Sequence, residues 1–453
     1  MRLAVLLVVL RIMRIESLAG GTLCAFISLA ATAPSSVTFT KDVAPVLEKN
    51  CQGCHRPGEA APFPLLTYEQ ARPWAKAMKE AVLLKKMPPW FADPHYGKFS
   101  NDRSLSQKEV DTLVAWADAG APQGDAKAMR SPVNFVEGWA IPKPDVIIEF
   151  PRAFQIPATG TIEYQKVVVP TGFTEDKWVQ FAEARPDDRA RVHHMIAFIR
   201  EPESHWLRDA KPGEFFVAPK PKKDDPVDTS ALPSDFLVGY APGQPPELLE
   251  PGQAKLIKAG SDLVLEIHYT TNGTASIDRS KFGLVFAKEP PRERVLTLSA
   301  TNGKFKIPPR HPNYRVDAAF ELHTAVKLSG LHPHMHGRGK DFEYRIVYPA
   351  GETETLLRVP RYDWHWQLWY TLASPIVLPK GSKIECTAHF DNSLSGCPAR
   401  ALPYRTWATT CAIQQNTAIM RISAAIAAYG CLGMSTTTPH CRCWRRFSSP
   451  LCR

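Results

Sequence analysis

The chain has 453 residues, enough for about three domains of ordinary size. Its formal net charge of +10 lies mostly at the two ends: residues 394–453 hold seven arginines and no Lys, Asp or Glu, and the N-terminal segment adds +2. The body therefore carries about +1, which excludes a basic face for nucleic acid. The 41 prolines, spread along the chain, favour loops and β-structure over long helices.

Residues 1–33 have the pattern of a secretory signal peptide. Arginines alternate with apolar stretches, and the segment ends on Ala31-Thr32-Ala33, a small-residue cleavage site. Met13 is an alternative start, because a more regular signal peptide follows it. An uncleaved membrane anchor is the alternative interpretation, and only then would a membrane be a partner. In both cases we expect the body to be exported, into the periplasm of a bacterium or an equivalent compartment.

A haem-attachment motif follows at Cys51-Gln-Gly-Cys54-His55. Covalent attachment of a c-type haem needs two thiols three positions apart and a histidine directly after them, which supplies an axial imidazole. The alternatives are a structural disulfide or half of a zinc site, but no second cysteine pair lies nearby. The motif predicts a covalent haem c held by these three residues.

The surroundings of the motif predict short helices at 43–47 and 68–84, the second ended by Pro88-Pro89. Met87, in the loop at that stop, resembles the sixth-ligand methionine of class I cytochromes c. Met78 is a weaker candidate because it lies within the helix. A last helix starts at a capping box in which Ser106 precedes Glu109 by three residues. These signals predict an all-α, class I cytochrome c-like domain over residues 37–125.

After a linker at 126–144, the pattern changes to short strands separated by Gly, Pro and Asn turns. It predicts two all-β antiparallel sandwich domains, jelly-roll-like, at 145–290 and at 291–393, the second of them truncated. The predicted strands are 146–150, 163–169, 178–184, 192–199, 263–269 and 342–348.

Histidines in the β regions predict metal sites. His332 and His334 are two residues apart, so both imidazoles project from one face of a strand. His193 and His194 would project from opposite faces, so they share a metal only if the strand bulges there. Together with His268 they form a set suited to copper, which imidazole binds in either oxidation state. The remaining histidines are a spare ligand, His336, and three expected to be structural: His323, His365 and His389. The aromatic residues around His365 could line a pocket.

Two parts of this region resemble the type II copper, ascorbate-dependent monooxygenases, which include the peptidylglycine and dopamine enzymes. The adjacent pair His193-His194 with the strand ending in His268-Tyr269 is similar to their first copper site. The run His332-Pro-His334 before Gly337-Arg338 is similar to their second. The resemblance covers most of residues 145–392. It implies that one copper, on His193, His194 and His268, supplies an electron, while dioxygen reacts at the other, where His332 and His334 are catalytic.

The chain departs from that family at its end. The family's second copper also takes a methionine thioether, a soft ligand suited to Cu(I). Met420 and Met434 lie downstream, but the pattern around neither predicts a strand. Residues 394–453 hold six of the ten cysteines and, among charged residues, only arginines. They are interpreted as an aberrant, frameshifted tail, or alternatively as a disulfide-rich or Cys/His metal-binding one.

Three functions remain as hypotheses, the third of them a haem-containing interaction module whose histidines are structural. In the first, the chain is an exported oxidoreductase with haem c and one or two copper ions. It hydroxylates a C–H bond of a small-molecule or peptide substrate with O2, and an external donor supplies electrons through the haem. In the second, it is a periplasmic electron-transfer or copper-binding protein without oxygenase activity, which loss of the thioether would favour.

Overall fold

A computed structural model describes residues 37–128, 133–135, 138–218, 235–302, 305–335, 337–393 and 416–426. The predicted signal peptide, His336 and Met434 lie outside the described residues. The described residues, all of them from Val37 onward, belong to one compact unit. Among the described residues, no helix is both long enough and apolar enough to cross a membrane.

The helices all lie near the start of the described chain. The longest of them, Gln107–Asp118, begins at the predicted capping box, in which the side chains of Ser106 and Glu109 each accept from the other's backbone N–H. The single helix predicted over 68–84 is interrupted by a 3-10 turn that contains Pro73. The elements are α1 (Ala44–Asn50), α2 (Tyr68–Ala71), α3 (Ala75–Leu83) and α4 (Gln107–Asp118), with a π-helical turn at Phe39–Val43 and 3-10 turns at Arg72–Trp74 and Ala126–Ala128.

The predicted fold class, an all-α cytochrome domain followed by two separate β-sandwiches, is wrong. The chain is mostly β-sheet and its helices are short. Between α3 and α4 the backbone is irregular and packs on the second β region, where Phe99 bridges to Leu372 and Trp90 contacts Tyr370. The helix signals were correct locally, but a cap and an apolar stripe specify one helix and not an independent helical domain.

Eleven strands lie in the described part of the first β region, residues 145–218 and 235–290. Side chains of a strand alternate between the two faces of its sheet, and on one strand Leu263, Leu265 and Ile267 face the same apolar cluster. The strands are β1 (Val146–Glu149), β2 (Phe154–Ile156), β3 (Gln165–Pro170), β4 (Lys177–Arg185), β5 (Val192–Arg200), β6 (Asp235–Tyr240), β7 (Glu247–Leu248), β8 (Gln253–Ile257), β9 (Asp262–Tyr269), β10 (Ser276–Asp278) and β11 (Lys281–Phe286).

The second β region contributes seven strands and the tail one more. All six predicted strands are present, with ends shifted by a few residues. The strands are β12 (Glu293–Asn302), β13 (Tyr314–Glu321), β14 (Val326–Met335), β15 (Gly339–Val347), β16 (Thr353–Val359), β17 (Tyr370–Leu378), β18 (Lys383–Phe390) and β19 (Asn416–Ala425).

The two β regions share a sheet. A nine-stranded sheet runs β1-β11-β4-β8-β12-β19-β14-β17, with β7 also on β4, and a short parallel pairing of β8 with β12 joins its two parts. One four-stranded sheet, β3-β9-β5-β6, contributes to the apolar cluster of the first region. Another, β13-β18-β15-β16, contributes to that of the second. This shared sheet is the second reason why the two-sandwich prediction fails.

Strand β19 lies within the segment interpreted as an aberrant tail. It pairs with β12 on one side and β14 on the other, and it places Met420 directly opposite Leu331. The expectation that Met420 lies outside a strand is therefore wrong. Met420 is fully buried in the same apolar cluster as Leu331. Since directly paired residues share a face, its thioether lies on the core face and not on the face of His332 and His334.

Candidate metal centre

A bulge in β5 brings the adjacent histidines to one place. Val192 pairs with Tyr269 and His194 pairs with His268, so His193 is the extra residue between two regular pairs. Val192 and Met195 both face the core of the first region. Both intervening histidines are thereby free to point away from that core, and the strand has the bulge that a metal shared by His193 and His194 would require.

The rings of His193, His194 and His268 form a nearly equilateral triangle, the three-histidine cluster. Their centres are 5.3, 5.3 and 5.2 Å apart, and one ring nitrogen from each lies within 4.8 Å of the others. Imidazoles bound tetrahedrally at about 2.0 Å from a metal place their ring centres about 5 Å apart. The cluster thus has the spacing of three ligands on one ion.

The cluster also leaves buried polar atoms to be satisfied. His193 Nδ1 and His194 Nδ1 are 3.0 Å apart. This distance fits either one shared proton or one shared metal ion. His193 Nε2 and His268 Nδ1 are buried and, among the described residues, have no hydrogen-bond partner. Such groups are costly unless something pairs with them. The residues present therefore fit a bound metal ion.

The electrostatics keep the rings in the form that binds metal. Burial, with the nearby positive charge of His268 next in importance, lowers the pKa of His193 to about 3. Burial, together with the nearby charge of His334, lowers the pKa of His268 to about 4. Both imidazoles are neutral near pH 7, so each has a nitrogen lone pair available, as copper or zinc requires.

The second histidine pair, His332 and His334, adjoins this cluster. Both project from one side of β14 as predicted, with ring planes 13° apart and centres 6.4 Å apart. The His334 ring centre is also 6.4 Å from that of His194. The two predicted metal sets are therefore neighbours in space, although about 65 residues of sequence separate His268 from His334.

One loop, residues 362–370, orients the second pair. The side-chain oxygen of Gln367 lies 2.5 Å from His334 Nδ1, so the ring donates there and its Nε2 is left for a ligand. Trp369 packs beside His332, with ring centres 5.0 Å apart. Burial, with the nearby charges of His334 and Arg421, lowers the pKa of His332 to about 3. His332 Nδ1 is a further buried nitrogen that has no hydrogen-bond partner in the described structure.

The haem-attachment motif sits in the CxxCH loop, residues 51–63. Backbone bonds from Cys54 and His55 to the Cys51 carbonyl close a tight turn. His55 Nδ1 lies 3.1 Å from the Phe63 carbonyl oxygen, so the ring donates there and presents Nε2. Phe63 in turn stacks on Trp74 at 3.9 Å. This is the arrangement that an axial imidazole needs.

Both thiols of the motif are free, so the disulfide alternative is not realised in this structure. Burial, with the charges of Cys54 and Glu109 adding to it, raises the pKa of Cys51 to about 12. Burial also raises the pKa of Cys54, although Arg103 opposes the rise. A protonated, half-buried thiol is a poor nucleophile, which disfavours a dithiol oxidoreductase and leaves the motif available to haem.

The predicted distal ligand is not brought to the motif in the same way. Met87 lies half-buried in the turn that follows α3. Met78 packs against the apolar cluster of the helical segment, as does Cys51, whereas Met87 is not part of that cluster. Met87 as sixth ligand stays a prediction.

Comparisons with known proteins add no identity. No family model matches the chain, and no curated protein matches it. Among solved structures, infectious bursal disease virus of the Gx strain matches at 9% identity, covering 63% of this chain and 73% of that one, with a TM-score of 0.19. The VP2 subviral particle of the same virus matches at 10% identity, covering 64% and 75%, with a TM-score of 0.19. The Sputnik virophage matches at 10% identity, covering 72% and 91%, with a TM-score of 0.16. TM-scores this low carry no argument about fold or function.

Sequence reasoning missed several residues around the cluster. Tyr164 stacks on His268, with ring centres 4.4 Å apart and planes 14° apart, and Gln367 holds His334. Trp364 lies 4.9 Å from His193, in the aromatic stretch for which a pocket wall was predicted. No spacing rule links Tyr164 to a histidine 104 positions away, whereas the density of aromatics around Trp364 was a usable signal.

The three histidines expected to be structural lie outside the three-histidine cluster, and one of them, His365, lies near it. His389 pairs with Asp341 at 2.6 Å on β18. His365 is exposed and pairs with Asp363 at 2.8 Å, and its charge helps to lower the pKa of His193. His323 is exposed.

Proposed function

We propose that this protein is an exported oxidoreductase that holds copper at the three-histidine cluster and a covalent haem c at the CxxCH loop. The convergence of His193, His194 and His268 at ligand spacing, with unpaired buried nitrogens, carries the proposal. Copper bound there would supply one-electron redox chemistry. The resemblance to type II copper monooxygenases adds the reaction class, hydroxylation of a C–H bond.

The hydroxylation balances as R–H + O2 + 2e⁻ + 2H⁺ → R–OH + H2O. Residues of the chain prepare the site for it in three ways. The bulge at His193 brings the three histidines together, and burial keeps their rings neutral. The hydrogen bond to Gln367 fixes the orientation of the His334 ring. We assign electron supply to the cluster of His193, His194 and His268, and oxygen chemistry to the side of His332 and His334.

Metal and haem content test the proposal directly. The full chain, exported from a host that attaches c-type haem, is loaded with Cu(II), dialysed and analysed for copper, haem and Cu(II) EPR. We expect stoichiometric haem and at least one bound copper, with the EPR signal lost in His193→Ala and His268→Ala. His389→Ala is the matched control, because that histidine is paired with Asp341 away from the cluster. A wild-type chain that retains no copper would overturn the proposal.

A second candidate, electron transfer or copper handling without oxygenase activity, is favoured by one observation. Met420 faces the core, so among the described residues the tail brings no thioether to the face of His332 and His334. Oxygen uptake coupled to a product that carries label from ¹⁸O2 identifies the monooxygenase. Reversible haem and copper reduction without such a product identifies the electron-transfer protein.

A further inference from the structure

The carboxylate of Glu59, in the CxxCH loop, forms ion pairs with one arginine of the loop and one arginine of the β region. Glu59 pairs with Arg56, inside the loop, at 3.0 Å and with Arg189, just before β5, at 2.7 Å. The side chains of Glu59 and Arg189 are 18% and 16% exposed, so little water screens this bond. Arg189 therefore ties the loop to the strand that bears the three-histidine cluster.

The contact continues to the cluster through β6. The Arg189 guanidinium lies 5.5 Å from the centre of the Tyr240 ring. Tyr240, on β6, is paired across the ladder with Met195 on β5, and Met195 directly follows His194. The path from the loop to a cluster ligand thus has three steps: an ion pair, a cation–π contact and a strand pairing.

Tyr240 lies within electrostatic reach of the loop end of this path, where Glu59 and Cys54 lie. Burial raises the pKa of Tyr240 to about 12, while the charge of Arg189 opposes the rise and those of Glu59 and Cys54 add to it. The phenol therefore keeps its proton at neutral pH.

A half-open pocket of about 400 Å³ lies beside the contact, lined by Gly58 of the loop and by Trp139, Ile147 and Arg189. The Glu59–Arg189 pair therefore joins the loop to the β region beside a space that side chains do not fill.

We infer that Glu59, Arg189 and Tyr240 form the contact through which an electron passes from the haem-bearing loop to the three-histidine cluster, with Arg189 as its positioning residue. This inference rests on the proposed function. In the transfer the haem is oxidised by one electron and the copper is reduced by one, and no proton moves. An external one-electron reductant restores the haem.

The rate of internal electron transfer tests this role. In the holoprotein loaded with Cu(II), the haem is reduced by a radiolytic pulse and its visible absorbance is followed as it reoxidises. Arg189→Gln should slow reoxidation severalfold, because loss of the ion pair frees the loop from β5 and electron transfer slows as the two sites move apart. Arg185→Gln, which lines the same pocket but pairs with Glu183 within the β region, is the matched control and should leave the rate unchanged.

Further variants separate positioning from general damage. Arg189→Lys should recover most of the rate, and Glu59→Gln should slow it without adding to the effect of Arg189→Gln. Tyr240→Phe should keep the rate, and Tyr240→Leu should lower it. The haem potential and the Cu(II) EPR spectrum should not change in any of them. Equal rates in Arg189→Gln and Arg185→Gln would overturn this route alone, whereas a wild-type chain lacking haem or copper would overturn the proposed function with it.

Discussion

His194 lies directly across the β5–β9 ladder from His268, and a single extra residue, His193, turns this pairing into a metal-ligand triangle. A regular ladder would place only two of the three rings on the same face. The bulge therefore creates the cluster, and the rings around it decide how firmly its geometry is held.

Tyr164 should control the geometry of the His268 ligand. Its ring is stacked on His268 at 4.4 Å and lies 5.4 Å from His194. Tyr164→Leu removes this support, and we expect a broadened or shifted Cu(II) EPR spectrum. Tyr164→Phe keeps the ring and should leave the spectrum unchanged. Identical spectra for Tyr164→Leu and the wild type would show that stacking does not position the ligand.

Gln367 should set the metal affinity at the second histidine pair. Its side-chain oxygen accepts the Nδ1–H of His334, and losing such a partner typically lowers metal affinity by about 10- to 100-fold. We expect Gln367→Leu to weaken the second copper by this factor in a competition titration. Gln367→Glu, which keeps an acceptor, serves as the control. The affinity of the three-histidine cluster is the internal reference, and an equal loss at both sites would contradict the assignment.

Acid should destabilise the helical segment through Glu109. Burial acts to raise the pKa of Glu109, but hydrogen bonds from Lys49, Ser106 and Asn50 outweigh it and lower the pKa to about 2. The folded pKa lies below the usual value, so the stabilisation is complete above pH 4.5 and is lost as the pH falls toward 2.

Glu109→Gln should therefore lower stability at pH 6 and flatten its dependence on pH between about 5 and 2. Thermal unfolding followed by circular dichroism at several pH values measures both effects. Asp111→Asn, on the same helix but outside this set of bonds, is the control. An unchanged pH slope in Glu109→Gln would exclude the mechanism.

Local features of this chain could be predicted, because each depends on residues close in sequence. The capping box at Ser106 located the start of α4 and alternation located the strands. A bulge at His193-His194 was the condition for a shared metal, and the strand has it. The shared face of His332 and His334 followed from the two-residue period of a strand.

The rest depends on pairings between distant segments, which no local pattern encodes. The nine-stranded sheet joins β8 to β12 and inserts β19 between β12 and β14, so it merges regions that were expected to fold separately. In the same fold, the ring centre of His334 lies 6.4 Å from the ring centre of His194. The prediction of a separate helical domain was wrong for the same reason. The segment contacts β17 through irregular backbone, which has no periodicity that a sequence pattern could reveal.

A buried carboxylate should be the main stabiliser beneath the cluster. Asp278 is fully buried and accepts hydrogen bonds from the Tyr269 hydroxyl at 2.8 Å, from Ser280 Oγ, and from the backbone N–H groups of Asp187 and Asp188. Tyr269 directly follows His268, so this network anchors the strand end that carries a ligand.

Asp278→Ala leaves these donors buried without an acceptor and should cost about 3 to 5 kcal/mol of unfolding free energy, because each unpaired group costs about 1 to 3. Tyr269→Phe removes a single donor and should cost about 1 kcal/mol. Denaturant unfolding of the metal-free chain measures both. Because Tyr269 directly follows His268, loosening of this strand end in Asp278→Ala should also weaken copper binding at the cluster. Equal stabilities of Asp278→Ala and Tyr269→Phe would show that the carboxylate does no more than accept the phenol.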